Sequence, residues 1–102
     1  MDFGLKGKKA IVTGGTRGIG RAIVERLAVE GCDVALCARN ADEVAAAVEA
    51  VQKLGSHCVG NSVDVTHAAD LNSWVADVAG ELGGMDILIP NVSALAVSNE
   101  EK

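Results

Sequence analysis

Short apolar runs alternate along the chain with longer stretches whose apolar residues recur every three to four positions. Residues 8–13 (Lys-Lys-Ala-Ile-Val-Thr) read as a buried strand, stopped by Gly14 and Gly15. Ile19, Ala22, Ile23 and Leu27 then share one face of a 3.6-residue period and predict a helix that Gly31 stops just past Glu30. Residues 33–38 (Asp-Val-Ala-Leu-Cys-Ala) are too short a run for a helix and read as a second buried strand. Asn40 has the chemistry of a helix N-cap, with Glu43 completing a capping box, and Val44, Ala47, Val48, Val51 and Leu54 trace a second helical stripe as far as Gly55. Residues 57–63 form a weaker strand, because Gly60 and Asn61 lower its propensity. Leu71, Trp74, Val75, Val78 and Leu82 give a third helix, with Thr66 as its expected cap and Gly83-Gly84 as its end, and residues 86–89 (Asp-Ile-Leu-Ile) give a fourth strand.

The order β-α-β-α-β-α-β, with helices between successive strands, implies crossover connections and a parallel sheet. The expected fold class is therefore α/β, a Rossmann-type parallel sheet with flanking helices. A doubly wound sheet usually runs to about six strands, so residues 1–102 read as one unit, the N-terminal half of such a domain. The ending Asn99-Glu100-Glu101-Lys102 carries no stop chemistry. A sheet cut there is expected to leave the fourth strand as an open edge and one sheet face largely uncovered.

Composition narrows the function classes. The 102 residues hold 14 acidic and 9 basic side chains, a net charge of −5 that excludes the basic footprint of a nucleic-acid binder. A hydrophobic content of 49% argues for a packed core, which must be aliphatic because the chain has one Trp, one Phe and no Tyr. No window approaches the roughly 18 to 20 apolar residues of a membrane span. The basic start lacks the apolar stretch of a signal peptide, so the expected compartment is the cytoplasm. Cys32, Cys37 and Cys58 are odd in number and form no C-x-x-C pair, against a disulfide framework or a metal site; they read as small apolar fillers. His57 and His67 have no evident partner cluster, Trp74 fits the core, and the charges of residues 42–53 read as the solvated face of the second helix.

One segment carries chemistry. Thr13-Gly14-Gly15-Thr16-Arg17-Gly18-Ile19-Gly20 joins the first strand to the first helix. In that place glycines serve a phosphate cradle: Gly14 turns the chain off the strand, Gly18 lets the backbone approach a pyrophosphate, and Gly20 lets the helix pack close. The free N–H groups and positive end of the helix then face the anion. The bland reading, a tight turn needing glycine only for its backbone, loses ground because the run sits between a strand and a helix inside a βαβ unit. A P-loop is excluded, since no Gly-Lys-Ser/Thr follows.

The spacing T-G-x-x-x-G-x-G resembles the classical branch of the short-chain dehydrogenase/reductase family. Asp64-Val65 after the third strand resembles that family's pair at the adenine ring, and Asp86-Ile87-Leu88-Ile89 ahead of Asn91 is similar to its D-[IVL]-[LV]-V-N-N-A-G segment. Pro90-Asn91-Val92-Ser93 departs from N-N-A-G, with Asn91 retained. The resemblance spans residues 7–98 and implies reversible hydride transfer between a nicotinamide dinucleotide and a small ketone or secondary alcohol. It further implies cofactor contacts from Gly14, Thr16, Gly18, Ile19 (through its backbone N–H) and Gly20, with Asn91 at the ribose.

Cofactor choice turns on the end of the second strand, where an acidic residue would accept from a ribose 2′-hydroxyl and a basic one would pair with a 2′-phosphate. The chain has Ala38-Arg39-Asn40 there and Arg17 in the glycine loop, a pairing that points to NADP(H). The family's general acid/base site uses Tyr, Lys four residues later, Ser and Asn. The chain has no Tyr, and Ser93 and Ser98 precede that region, so no catalytic residue is assigned. The expectation is a longer parent enzyme, with the 102-residue chain inactive alone; the rival is a non-catalytic nucleotide-binding or interaction module complete at this length. A homo-oligomer is expected, through a surface other than the family's usual helices.

Overall fold

The computed structural model describes residues 4–14 and 16–91. Gly15, Val92, Ser93, Ser98 and the remainder of 94–102, all weighed above, lie outside the described residues. Seven elements follow one another: β1 (Lys9–Thr13), α1 (Gly18–Val29), β2 (Asp33–Ala38), α2 (Ala41–Gln52), β3 (Cys58–Ser62), α3 (Ala68–Leu82) and β4 (Ile87–Pro90). All strands are parallel and lie in the order β3-β2-β1-β4, so the expected Rossmann-type sheet is present.

The period-2 alternation of the central strands sorts the core into two layers. Ala10 and Val12 of β1 and Val34, Leu36 and Ala38 of β2 point to the face covered by α1 and α2. Ile11, Ala35 and Cys37 point to the opposite face, where Trp74, Val78 and Leu82 of α3 cover them. The face expected to be largely uncovered is thus roofed by α3, and Ile11, Ala35 and Cys37 are fully buried. β4 is an edge of the described sheet, as expected. Trp74 is core, with its indole N–H donating to Asn61 Oδ1 at 3.0 Å.

Three local expectations need correction. The buried face of α1 runs through Gly20, Val24, Leu27 and Ala28, whereas Ile19 is 75% exposed and Ala22 is also exposed. The close seat of Gly20 turns the first turn of the helix so that Ile19 faces outward. Leu54 lies past the end of α2 and is exposed. Thr66 does not cap α3: the N-cap is His67, without a side-chain cap bond, because the Thr66 hydroxyl is engaged by Asp64 Oδ1 at 2.6 Å. Pro90, which lacks an N–H, is exposed at the end of β4 in register with Thr13. Pairing with β1 continues beyond it, since Asn91 N–H donates to the Thr13 carbonyl at 3.1 Å. None of the described helices is long and apolar enough to cross a membrane.

Candidate functional site

The chain winds outward from β1 to β2 to β3, then returns past β1 to place β4 on its other side. Open α/β sheets take ligands at such a reversal, beyond the carboxyl ends of their strands. The glycine turn lies there. Gly14 N–H donates to the Cys37 carbonyl at 2.8 Å, and its φ of +74° is a left-handed conformation that glycine adopts without strain. A Cβ on Gly14 would stand 2.2 Å from the Asn91 carbonyl oxygen. A Cβ on Gly20 would stand 2.2 Å from the Gly14 carbonyl oxygen and 2.4 Å from Asn91 Nδ2. Gly20 therefore seats α1 against the turn itself. Gly18 differs: its φ is +53°, and among the described residues none outside its chain neighbours and its own helix backbone comes within 4 Å of where a Cβ would be.

Asn91 fixes the turn from the end of the neighbouring strand, β4. Its Nδ2 donates to the Gly14 carbonyl at 3.1 Å, and its backbone N–H also reaches the Oγ1 of buried Thr13 at 3.0 Å. The start of α1 is left open: its N-cap Arg17 makes no side-chain cap bond and its first turn holds no acidic residue. α2 is the opposite case. Asn40 Oδ1 accepts from Glu43 N–H at 3.0 Å, and Asp42 and Glu43 lie in the first turn. Only the Asn40 half of the expected capping box is present, since the Glu43 carboxylate points away to the glycine loop.

The sequence assigns Glu43 to a capping box and to the solvated face of the second helix, whereas the structure gives its carboxylate to Arg17 and Thr16. Glu43 Oε1 accepts from Arg17 Nε at 3.0 Å, Oε2 from Arg17 Nη2 at 2.5 Å, and Oε1 from Thr16 Oγ1 at 3.3 Å. The Arg17 hydrogen bond is the main cause holding the Glu43 carboxyl below its ordinary range, and Glu43 in turn raises Arg17. The signal in sequence was topological: adjacent parallel strands set the loop after β1 beside the start of the helix after β2.

Gly14, Thr16, Arg17, Ala38, Arg39, Asn40 and Glu43 line one open cavity of about 560 Å³, within the size range of small-molecule sites. Both candidate arginines thus face the same space. Gly18, Ile19, Gly20 and Asn91 are not among its walls; Gly20 and Asn91 support the turn from behind. Asp64 lies at a second depression of about 320 Å³, with Asn61, Ser62, Val63, Asp70, Ser73, Trp74 and Asp77. Hydrogen bonds from the Thr66 hydroxyl and backbone N–H hold its carboxyl below the ordinary value, with smaller contributions from His67 and Arg39. Val65 packs against the cluster under α3. His67 does have carboxylate neighbours, its Nδ1 standing 3.7 Å from Asp64 and 3.5 Å from Asp70. Cys32, Cys37 and Cys58 are free and buried, and burial pushes the Cys37 and Cys58 thiols up to about 11.

Comparison with known proteins agrees with this geometry. Residues 8–102 match the family described as short chain dehydrogenase. The chain belongs to that family. It is 39% identical to a cyclohexanol dehydrogenase of Rhodococcus sp. (strain TK6), the match covering 95% of this chain and 40% of the relative. The L-sorbose reductase of Gluconobacter frateurii, solved with NADPH and L-sorbose, superposes with a TM-score of 0.85 at 37% identity over 92% of this chain and 36% of its own. An NAD+-bound xylitol dehydrogenase gives a TM-score of 0.79 at 32% identity over 83% of this chain and 33% of its own. The chain therefore spans well under half the length of these short-chain dehydrogenase relatives.

Proposed function

We propose that the chain is the cofactor-binding half of an NADP(H)-dependent oxidoreductase whose substrates are ketones or secondary alcohols. The observation that carries this reading is the cavity beyond β1 and β2, where the glycine turn and both arginines share one wall. The residues fit a dinucleotide. Among the described residues, none outside its chain neighbours and its own helix backbone occupies the space where a Cβ on Gly18 would stand, and the neighbouring helix start has backbone donors without a capping side chain.

In this reading Gly14 and Gly18 shape the pyrophosphate site, the Ile19 N–H and Thr16 hydroxyl donate to it, and Gly20 keeps α1 against the turn. Arg17 and Arg39, beside Asn40, hold the 2′-phosphate, Asp64 and Val65 the adenine, and Asn91 the ribose side. The nicotinamide, when bound, supplies hydride transfer. The protein residues named here bind and orient; with no Tyr in the chain, none takes the family's proton-transfer role, and the 102-residue chain alone is expected to be inactive. The sorbose reductase with NADPH and the xylitol dehydrogenase with NAD+ support a nicotinamide dinucleotide. The two arginines favour the phosphorylated form.

A ligand that binds only the folded state stabilises it by mass action, by about 2.7 kcal/mol at 100 times its Kd. For a domain near 100 residues that raises the Tm by roughly 10 °C or more. Thermal melts with NADPH should show this rise, and Arg39→Asp should weaken NADPH far more than NADH. A Tm indifferent to millimolar NADPH contradicts the binding reading, and equal loss of both dinucleotides contradicts the phosphate role.

A further inference from the structure

Arg17 offers its guanidinium to the cavity, yet the edge formed by Nε and Nη2 is already taken by the two carboxylate oxygens of Glu43. The geometry is the bidentate fork that a guanidinium makes equally with a carboxylate or a phosphate. Arg17 and Glu43 both line the cavity, and Thr16 also donates to the same carboxylate. The carboxylate lies in the first turn of α2, where the helix dipole favours a negative charge. Arg17 is 78% exposed on its side chain and Glu43 33%, so solvent reaches the pair and it can open.

Resting on the NADP(H) reading above, we infer that Glu43 is a specificity-determining residue, an internal anion that competes with the ribose 2′-phosphate for Arg17. A 2′-phosphate near neutral pH carries about −1.5 to −2 charges, as other phosphomonoesters do. It enters a cavity whose two arginines are offset by one carboxylate, and it gains Arg17 only by displacing that carboxylate. NADH has no phosphate at this position and leaves the pair closed. Glu43 thus lowers the preference for NADPH that Arg17 and Arg39 create, and the chain accepts the two cofactors more evenly than its basic residues alone would dictate.

The test is calorimetric titration of the full chain with NADPH and with NADH, for wild type, Glu43→Gln and Asp42→Asn. Asp42 is exposed in the same helical turn, so its variant removes an equal charge without freeing Arg17. An exposed ion pair is commonly worth up to about a fivefold change in an equilibrium, and repulsion of the phosphate adds to it. Glu43→Gln should therefore raise the ratio of the NADH Kd to the NADPH Kd about fivefold or more, and Asp42→Asn by less than about twofold. A ratio that stays put in Glu43→Gln, rises equally in Asp42→Asn, or falls overturns the inference; a fall would make Glu43 the residue that holds Arg17 in place. In wild-type protein, the Arg17 Nε–H nuclear resonance should shift on adding 2′,5′-ADP and stay where it is with 5′-ADP. An identical response to both also overturns the inference, whatever the fold of the variants. A wild-type chain that binds neither dinucleotide removes the NADP(H) reading itself and this one with it, a failure distinct from normal binding with an unchanged ratio.

Discussion

At the scale of single residues, short side chains decide more here than their types suggest. The Thr66 hydroxyl and backbone N–H both donate to Asp64 Oδ1, at 2.6 and 3.0 Å, and bonds to the charged form favour it. The folded-state pKa of Asp64 thus lies below its ordinary value of 3.8. A carboxyl depressed in this way contributes stability above the ordinary pKa and loses it as pH falls through the folded one. Thr66→Ala removes the larger of the two bonds. The Asp64 titration, followed by carboxylate NMR, should move up toward 3.8, and the acid limb of unfolding should lose that part of its pH dependence. An unmoved Asp64 would mean the hydroxyl contributes nothing. The sequence offered Thr66 as a helix cap because both roles use the same atom, and only geometry tells which acceptor or donor is nearer. Glu43 shows the same limit, since a partner 26 residues away leaves no periodic trace.

Elements were legible wherever period and stop signal agreed. The runs around Ile11 and Leu36 became strands at the expected places, and the stripe Val44, Ala47, Val51 became the buried face of α2. Signals failed where tertiary contact sets the rotation of an element, as Gly20 does for α1. Gly60 is the other case. It looked like a weakness in β3, yet a Cβ there would meet Val48 Cγ2 at 2.6 Å, Val44 Cγ1 at 3.0 Å and Leu36 Cδ1 at 3.1 Å. The missing side chain is what allows α2 to lie this close to the sheet. Overpacking a filled core costs about 1–3 kcal/mol, and Gly60 is half-buried at the edge of one, so Gly60→Ala should lower stability by about 1 kcal/mol in urea melts. Adding Val48→Ala should recover a large share of the loss, because Val48 supplies the nearest atom. Independent, additive losses in the double variant would show that the two positions do not share the contact.

For the molecule as a whole, strand order sets where it is firm. β1 and β2 lie inside the sheet, with helices on both of their faces, while β3 and β4 form the edges of the described sheet. Amide protons of Ala10–Val12 and Val34–Cys37 are therefore expected to exchange slowest, near the limit of global unfolding, with those of β3 and β4 exchanging through smaller openings. Exchange of Ile87–Ile89 as slow as that of β1 would contradict this gradient. The place of the glycine loop beside the cavity was readable because a local motif carries it: Gly14, Thr16 and Arg17 line that space, and Gly18, Ile19 and Gly20 do not. Its support was only half readable: Asn91 stood out by its position, and the bond that explains it did not.

That bond has a consequence for synthesis. The turn at Gly14 is made early, but the side chain that holds its carbonyl comes 77 residues later. A growing chain can build β1, α1 and β2 in order and still have a glycine turn without its brace. The bond cannot form until Asn91 has left the ribosome, so the first motif to be translated receives its brace from one of the last described residues.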